Sequence, residues 1–70
     1  MPGAEEDLRA TAEAILDDAD QLKRLEARKV ALDPADPLVL DLSRQIEALV
    51  GTIADKARAE RELSEDLQGA

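Results

Sequence analysis

Residues 31–42 read ALDPADPLVLDL, and the two Asp-Pro dipeptides in this stretch decide the fold. A residue that precedes proline is disfavoured in the α region, so Asp33 should end a first helix. Asp36 is a good N-cap, and Pro37 fits the first helical position because its missing N–H has no partner to lose there. The stretch therefore predicts a helix corner made by Asp33, Pro34, Asp36 and Pro37.

Apolar residues on both sides of the corner recur at alternating steps of three and four, which is the pattern of a heptad seam, the stripe of a and d positions. We expect one all-α domain over residues 1–70, with helix 1 over about 4–32, the corner at 33–36 and helix 2 over about 37–67. Two helices of similar length joined by a short link form an antiparallel hairpin. The seam contains Leu8, Ile15, Leu22, Leu25 and Leu32 before the corner and Val39, Leu42, Ile46, Leu49, Ile53, Leu63 and Leu67 after it.

The register of the hairpin follows from matching apolar residues across the corner. Residues whose numbers add up to about 69 should face each other, which places Leu22 near Ile46. The seam becomes polar toward the open end, the end away from the corner, where Lys56 and Glu60 take seam positions. Because they are four residues apart, they either pair with each other or extend into solvent at a frayed end.

A chain of 70 residues is too short to bury a large core, and domains of this size usually add a disulfide, a metal or a partner subunit. The chain has no cysteine and no histidine, which excludes disulfides and argues against zinc. We therefore predict a homo-oligomer: a dimer of hairpins forming a four-helix bundle, with a tetramer as the alternative. The predicted interface consists of apolar residues that lie off the seam: Leu16, Val30, Leu38, Leu40, Val50 and Ala54.

The charges predict how the two hairpins are arranged. The corner half, residues 21–50, has five basic and five acidic residues, whereas the open half has four basic and twelve acidic residues and so carries the whole net charge of −8. A head-to-tail dimer separates the two acidic ends. Asp18 and Lys29 are charged seam residues that either extend into solvent or pair across the dimer and fix its register.

The composition excludes several classes of function. An acidic chain without aromatic residues is not expected to bind nucleic acid, and no apolar run or signal peptide predicts a membrane association. We expect a cytoplasmic protein without cofactors, metal ligands or catalytic residues, since no hydroxyl has a histidine base. Glu13, Asp17 and Asp20 share a helix face, which is typical of a solvated acidic surface and only rarely of a divalent-cation site.

Three functions remain on this basis. The first is a non-enzymatic structural or protein-interaction module that self-associates through helix packing. The alternative is an acidic regulatory or inhibitor protein that binds a basic partner through its open end. The third is a divalent-cation carboxylate site. The length and shape resemble the small bacterial dimers of helical hairpins typified by Rop. That family binds RNA through a helical face, and this chain has no matching aromatic or basic face, so no functional residue is transferred.

Overall fold

The protein is a helical hairpin. A computed structural model describes residues 3–69, and within them it has helix α1 over Ala4–Ala31 and helix α2 over Leu38–Gly69, with no strand. The two helices pack against each other along a rod of 53 × 15 × 14 Å. The predicted all-α, two-helix hairpin is thereby confirmed.

The helix ends differ from the predicted ones by one or two residues. Helix α1 ends at Ala31, because Leu32 is already extended, with φ −87° and ψ 153°. Helix α2 begins at Leu38 and continues to Gly69, two residues beyond the expected end. Asp33 precedes Pro34 and is therefore disfavoured in the α region, and α1 ends two residues before it.

The corner consists of two consecutive turns, each organised by an aspartate. Oδ1 of Asp33 accepts a hydrogen bond from the backbone N–H of Ala35 at 2.9 Å, and its carbonyl oxygen accepts one from Asp36 at 2.9 Å. Oδ1 of Asp36 accepts from the N–H of Leu38 at 2.9 Å, and its carbonyl oxygen accepts from Val39 at 3.0 Å. Aspartate followed by proline favours such turns, and Asp36 therefore acts as the N-cap of α2.

Helix α1 begins without a side-chain cap. The carbonyl oxygen of Gly3 accepts hydrogen bonds from the backbone N–H groups of Glu6 and Asp7 at 3.1 and 3.2 Å. Three acidic residues occupy the first turn, and Arg28 and Lys29 occupy the last. Acidic residues at the N-terminus and basic residues at the C-terminus both interact favourably with the helix dipole, and they stabilise α1.

The interior of the hairpin is a seam rather than a core. Only Leu25, at 8% exposure, and Leu42, at 4%, are buried among the described residues, and the other apolar seam residues are half-buried or exposed. The radius of gyration is 16.0 Å, compared with about 11 Å for a compact domain of this length. Within residues 3–69, two helices alone therefore bury only two apolar side chains.

Candidate interaction surface

An ion pair joins the two helices inside the seam. Nζ of Lys56 donates to Oδ2 of Asp18 at 2.5 Å, and both side chains are half-buried. Side chains lean toward the N-terminus of their own helix. In an antiparallel pair, Asp18 therefore leans toward the open end and Lys56 leans toward the corner, so the two groups converge. This contact fixes the register of α1 against α2.

The partners of Asp18 and Lys56 differ from those that the sequence predicts. Lys56 pairs with Asp18 and not with Glu60, and Asp18 is paired within its own hairpin. The predicted pairing of Asp18 with Lys29 of a second copy would have to displace this bond. Opposite charges at two seam positions were the available signal, but the predicted register places Asp18 near Leu49.

The hairpin has two broad faces that differ in chemistry. The two antiparallel helices are related by a two-fold axis perpendicular to the plane that contains them. Equivalent heptad positions of the two helices therefore lie on the same side of that plane. The b and e heptad positions of both helices form one face, which we call the flank face. The c and g positions form the opposite face.

A groove near the corner supports this assignment. It has a volume of about 290 Å³, and it is lined by residues at c, d and g positions of both helices. Leu38 lies on this face, although the sequence analysis grouped it with the interface residues. The lining residues are Arg28, Ala31 and Leu32 from α1 and Leu38, Asp41, Leu42 and Gln45 from α2.

The flank face carries most of the large apolar side chains that the hairpin leaves exposed. Leu16 is 69% exposed, Val30 is 81% exposed, and Leu40 and Val50 are also exposed. Among residues 3–69, the opposite face exposes one large apolar residue, Leu38, and Leu67 lies in the seam at the open end. The flank-face residues are Glu5, Arg9, Ala12, Leu16, Ala19, Lys23, Glu26 and Val30 in α1 and Leu40, Ser43, Glu47, Val50, Ala54, Ala57, Arg61 and Ser64 in α2.

The exposed area of the hairpin is large for its mass. The accessible surface is 5365 Å², whereas a compact protein of 7.6 kDa exposes about 4,300 Å². If each of two copies covered this excess, the dimer would bury about 2,000 Å² in total, which is the lower end of the range for obligate homodimers. The surplus area therefore matches the size of a stable self-association interface.

The other polar groups are engaged locally. The hydroxyl groups of Thr11, Ser43 and Thr52 each donate to the backbone carbonyl oxygen four residues earlier, as is common within helices. Oδ2 of Asp20, on the acidic helix face, is 3.2 Å from Nη1 of Arg24. Among the described residues, no three side chains of aspartate, glutamate, histidine or cysteine are grouped so that they could hold a metal ion.

Comparisons of this chain with protein-family models, curated proteins and solved structures found no match. Over residues 3–69, neither helix contains a stretch that is both long and apolar enough to cross a membrane.

Proposed function

We propose that this protein is a non-enzymatic helical module that self-associates through the flank face and forms a four-helix bundle from two hairpins. The exposure of four large apolar residues on one face of the rod carries this proposal. Small helical proteins bury such residues against another helix, and a hairpin has no third helix to supply. A second hairpin shields the centre of this face, around Leu16 and Val50, from solvent.

The size of the interface supports the same conclusion. With only Leu25 and Leu42 buried among residues 3–69, the hairpin has little hydrophobic stabilisation of its own. We expect that covering about 1,000 Å² on each protomer, including the apolar centre of the face, adds several kilocalories per mole even after the entropy cost of association. Self-association is thus the route by which this chain reaches an ordinary stability.

Two substitutions test whether the flank face is the interface. Leu16 lies near its centre, and Leu38 lies on the opposite face, while both are more than half exposed. Leu16→Gln should weaken the dimer at least about tenfold, because each dimer loses two buried leucines. Leu38→Gln is the matched control, since glutamine and leucine have similar helix propensities, and it should leave the dimerisation constant within about twofold.

Size-exclusion chromatography with light scattering, run over a dilution series, measures the dimerisation constant of each variant. Equal weakening by the two substitutions would contradict the assignment of the interface to the flank face. Helical content from circular dichroism should remain the same in both variants at high concentration.

A second candidate function uses the acidic open half as a binding surface for a basic protein. All of the net charge of −8 lies in that half, and its excess of acidic residues attracts polycations at low salt. Glu62→Gln, in the open half, should weaken binding of an oligolysine peptide more than Asp41→Asn near the corner. Equal effects in fluorescence anisotropy, at two salt concentrations, would show attraction by overall charge and no dedicated surface.

A further inference from the structure

Four of the six charged residues on the flank face, Arg9, Glu26, Glu47 and Arg61, are placed symmetrically about its centre. We propose that two hairpins associate head to tail, so that Arg9 and Arg61 of each copy lie against Glu26 and Glu47 of the other. This inference rests on the proposed self-association through the flank face, and it adds the orientation and the residues that select it.

Helix α1 shows the first half of the pattern. Leu16 and Ala19 lie at the middle of its flank-face stripe, and both side chains are exposed. Arg9 lies seven residues before Leu16, and Glu26 lies seven residues after Ala19. A two-fold axis between Leu16 and Ala19 therefore brings Arg9 over Glu26 of the second copy, in both directions.

Helix α2 repeats the pattern about Ala54. Glu47 lies seven residues before it and Arg61 seven residues after it, so each is about 10.5 Å away along the helix. Ala54 lies two residues before Lys56, whose bond to Asp18 brings this part of α2 close to the centre of α1. One two-fold axis thus serves both helices and pairs Arg61 with Glu47 of the second copy.

The four groups are available for such pairing. Their side chains are exposed, and only Arg61 has an ion-pair contact among the described residues, at 3.7 Å from the exposed Glu65. An exposed pair of this length contributes little, so Arg61 can exchange Glu65 for a carboxylate of the second copy.

The alternative arrangement places the two open ends together. In that arrangement α1 packs on α2 of the second copy, with the two open ends at the same end of the dimer. Arg9 then lies next to Arg61 of the second copy, and the two acidic open halves repel each other. The head-to-tail arrangement replaces this contact between like charges with four Arg–Glu pairs in each dimer. Like charges in contact across an interface select against an orientation.

One substitution separates the two arrangements by the sign of its effect. Arg9→Glu should weaken a head-to-tail dimer at least about tenfold, because it faces Glu26, and adding Glu26→Arg in the same chain should restore the affinity to within about threefold. In the arrangement with adjacent open ends, Arg9→Glu would face Arg61 and tighten the dimer. Both substitutions favour the helix dipole of α1, so a loss of dimer would not come from a weaker helix.

A distance measurement tests the orientation directly. Ala35 is exposed at the corner, and the chain has no native cysteine, so Ala35→Cys accepts a single spin label. In the head-to-tail dimer, the two labels should be about 50 Å apart, as estimated from helix rise. Adjacent open ends place both corners at one end, with the labels about 20 Å apart.

The outcomes are distinct. A long distance together with rescue by Glu26→Arg supports the proposal. A short distance, or tightening by Arg9→Glu, overturns the head-to-tail arrangement while leaving self-association intact. A monomeric wild-type chain in sedimentation overturns the proposed function and this inference with it.

Discussion

Lys56 and Asp18 are 38 residues apart in the chain and form the one hydrogen bond between side chains of the two helices among residues 3–69. Both occupy seam positions in which a coiled coil normally has apolar residues. Their convergence depends on the antiparallel order of the helices, because each side chain leans toward its own N-terminus. The pair therefore links the register of the hairpin to its topology.

We expect this ion pair to be coupled by about 1 kcal/mol, between the values for exposed and fully buried pairs. A double-mutant cycle with Asp18→Asn and Lys56→Met, followed by urea unfolding at one protein concentration, measures the coupling. The exchanged variant, Asp18→Lys with Lys56→Asp, should recover most of the stability lost in the single variants. In it, the side chains at positions 18 and 56 still point toward each other. No measurable coupling would mean that the pair does not hold the register.

Gly51 should tolerate a larger side chain. It lies at an outer f position of α2, and a Cβ added to it would have no atom within 4 Å. Gly51→Ala should raise the free energy of unfolding by about 0.5–1 kcal/mol, because alanine has the better helix propensity. Thermal unfolding followed by circular dichroism tests this, and a loss of stability would show that another helix packs closely on Gly51.

The cap of α2 should depend on one carboxylate. Asp36→Ala removes the acceptor for the N–H of Leu38 and should cost about 1 kcal/mol of stability. Asp36→Asn keeps an acceptor oxygen and is the matched control, with most of the stability retained. Equal losses in urea unfolding would assign the effect to the charge of Asp36 near the helix N-terminus instead of to its hydrogen bond.

The buried leucine of α2 should be the most sensitive apolar residue. Leu42→Ala should cost about 2–5 kcal/mol, since its side chain is only 4% exposed and lies in the narrow part of the seam. Val39→Ala, in the same turn of the seam but only half-buried, is the comparison and should cost less. If urea unfolding gave the two variants the same stability, burial in the isolated hairpin would not reflect burial in the assembled protein.

Much of the fold can be predicted from local features of the sequence. The Asp-Pro dipeptides define the corner because a pre-proline residue and an N-cap are determined by covalent geometry and one hydrogen bond. The seam follows from heptad spacing, and Leu25 and Leu42 are both members of it. The corner and the seam both depend on residues that are close together in the sequence, so the sequence is enough to predict them.

Two features of the candidate site could not be predicted in the same way. Asp18 pairs with Lys56, seven positions beyond Leu49, the residue expected near it, and the two side chains lean toward each other. Leu38 and Leu40 are both apolar and both lie off the seam, but Leu38 lines the groove near the corner and Leu40 does not.

Sedimentation equilibrium of the unmodified full chain, over a wide range of concentrations, tests the proposed self-association most directly. The account predicts a reversible monomer–dimer equilibrium in which the limiting mass is twice 7.6 kDa. A single species of 7.6 kDa that stays fully helical at every concentration would contradict it, because the flank face would then be stable while exposed to solvent.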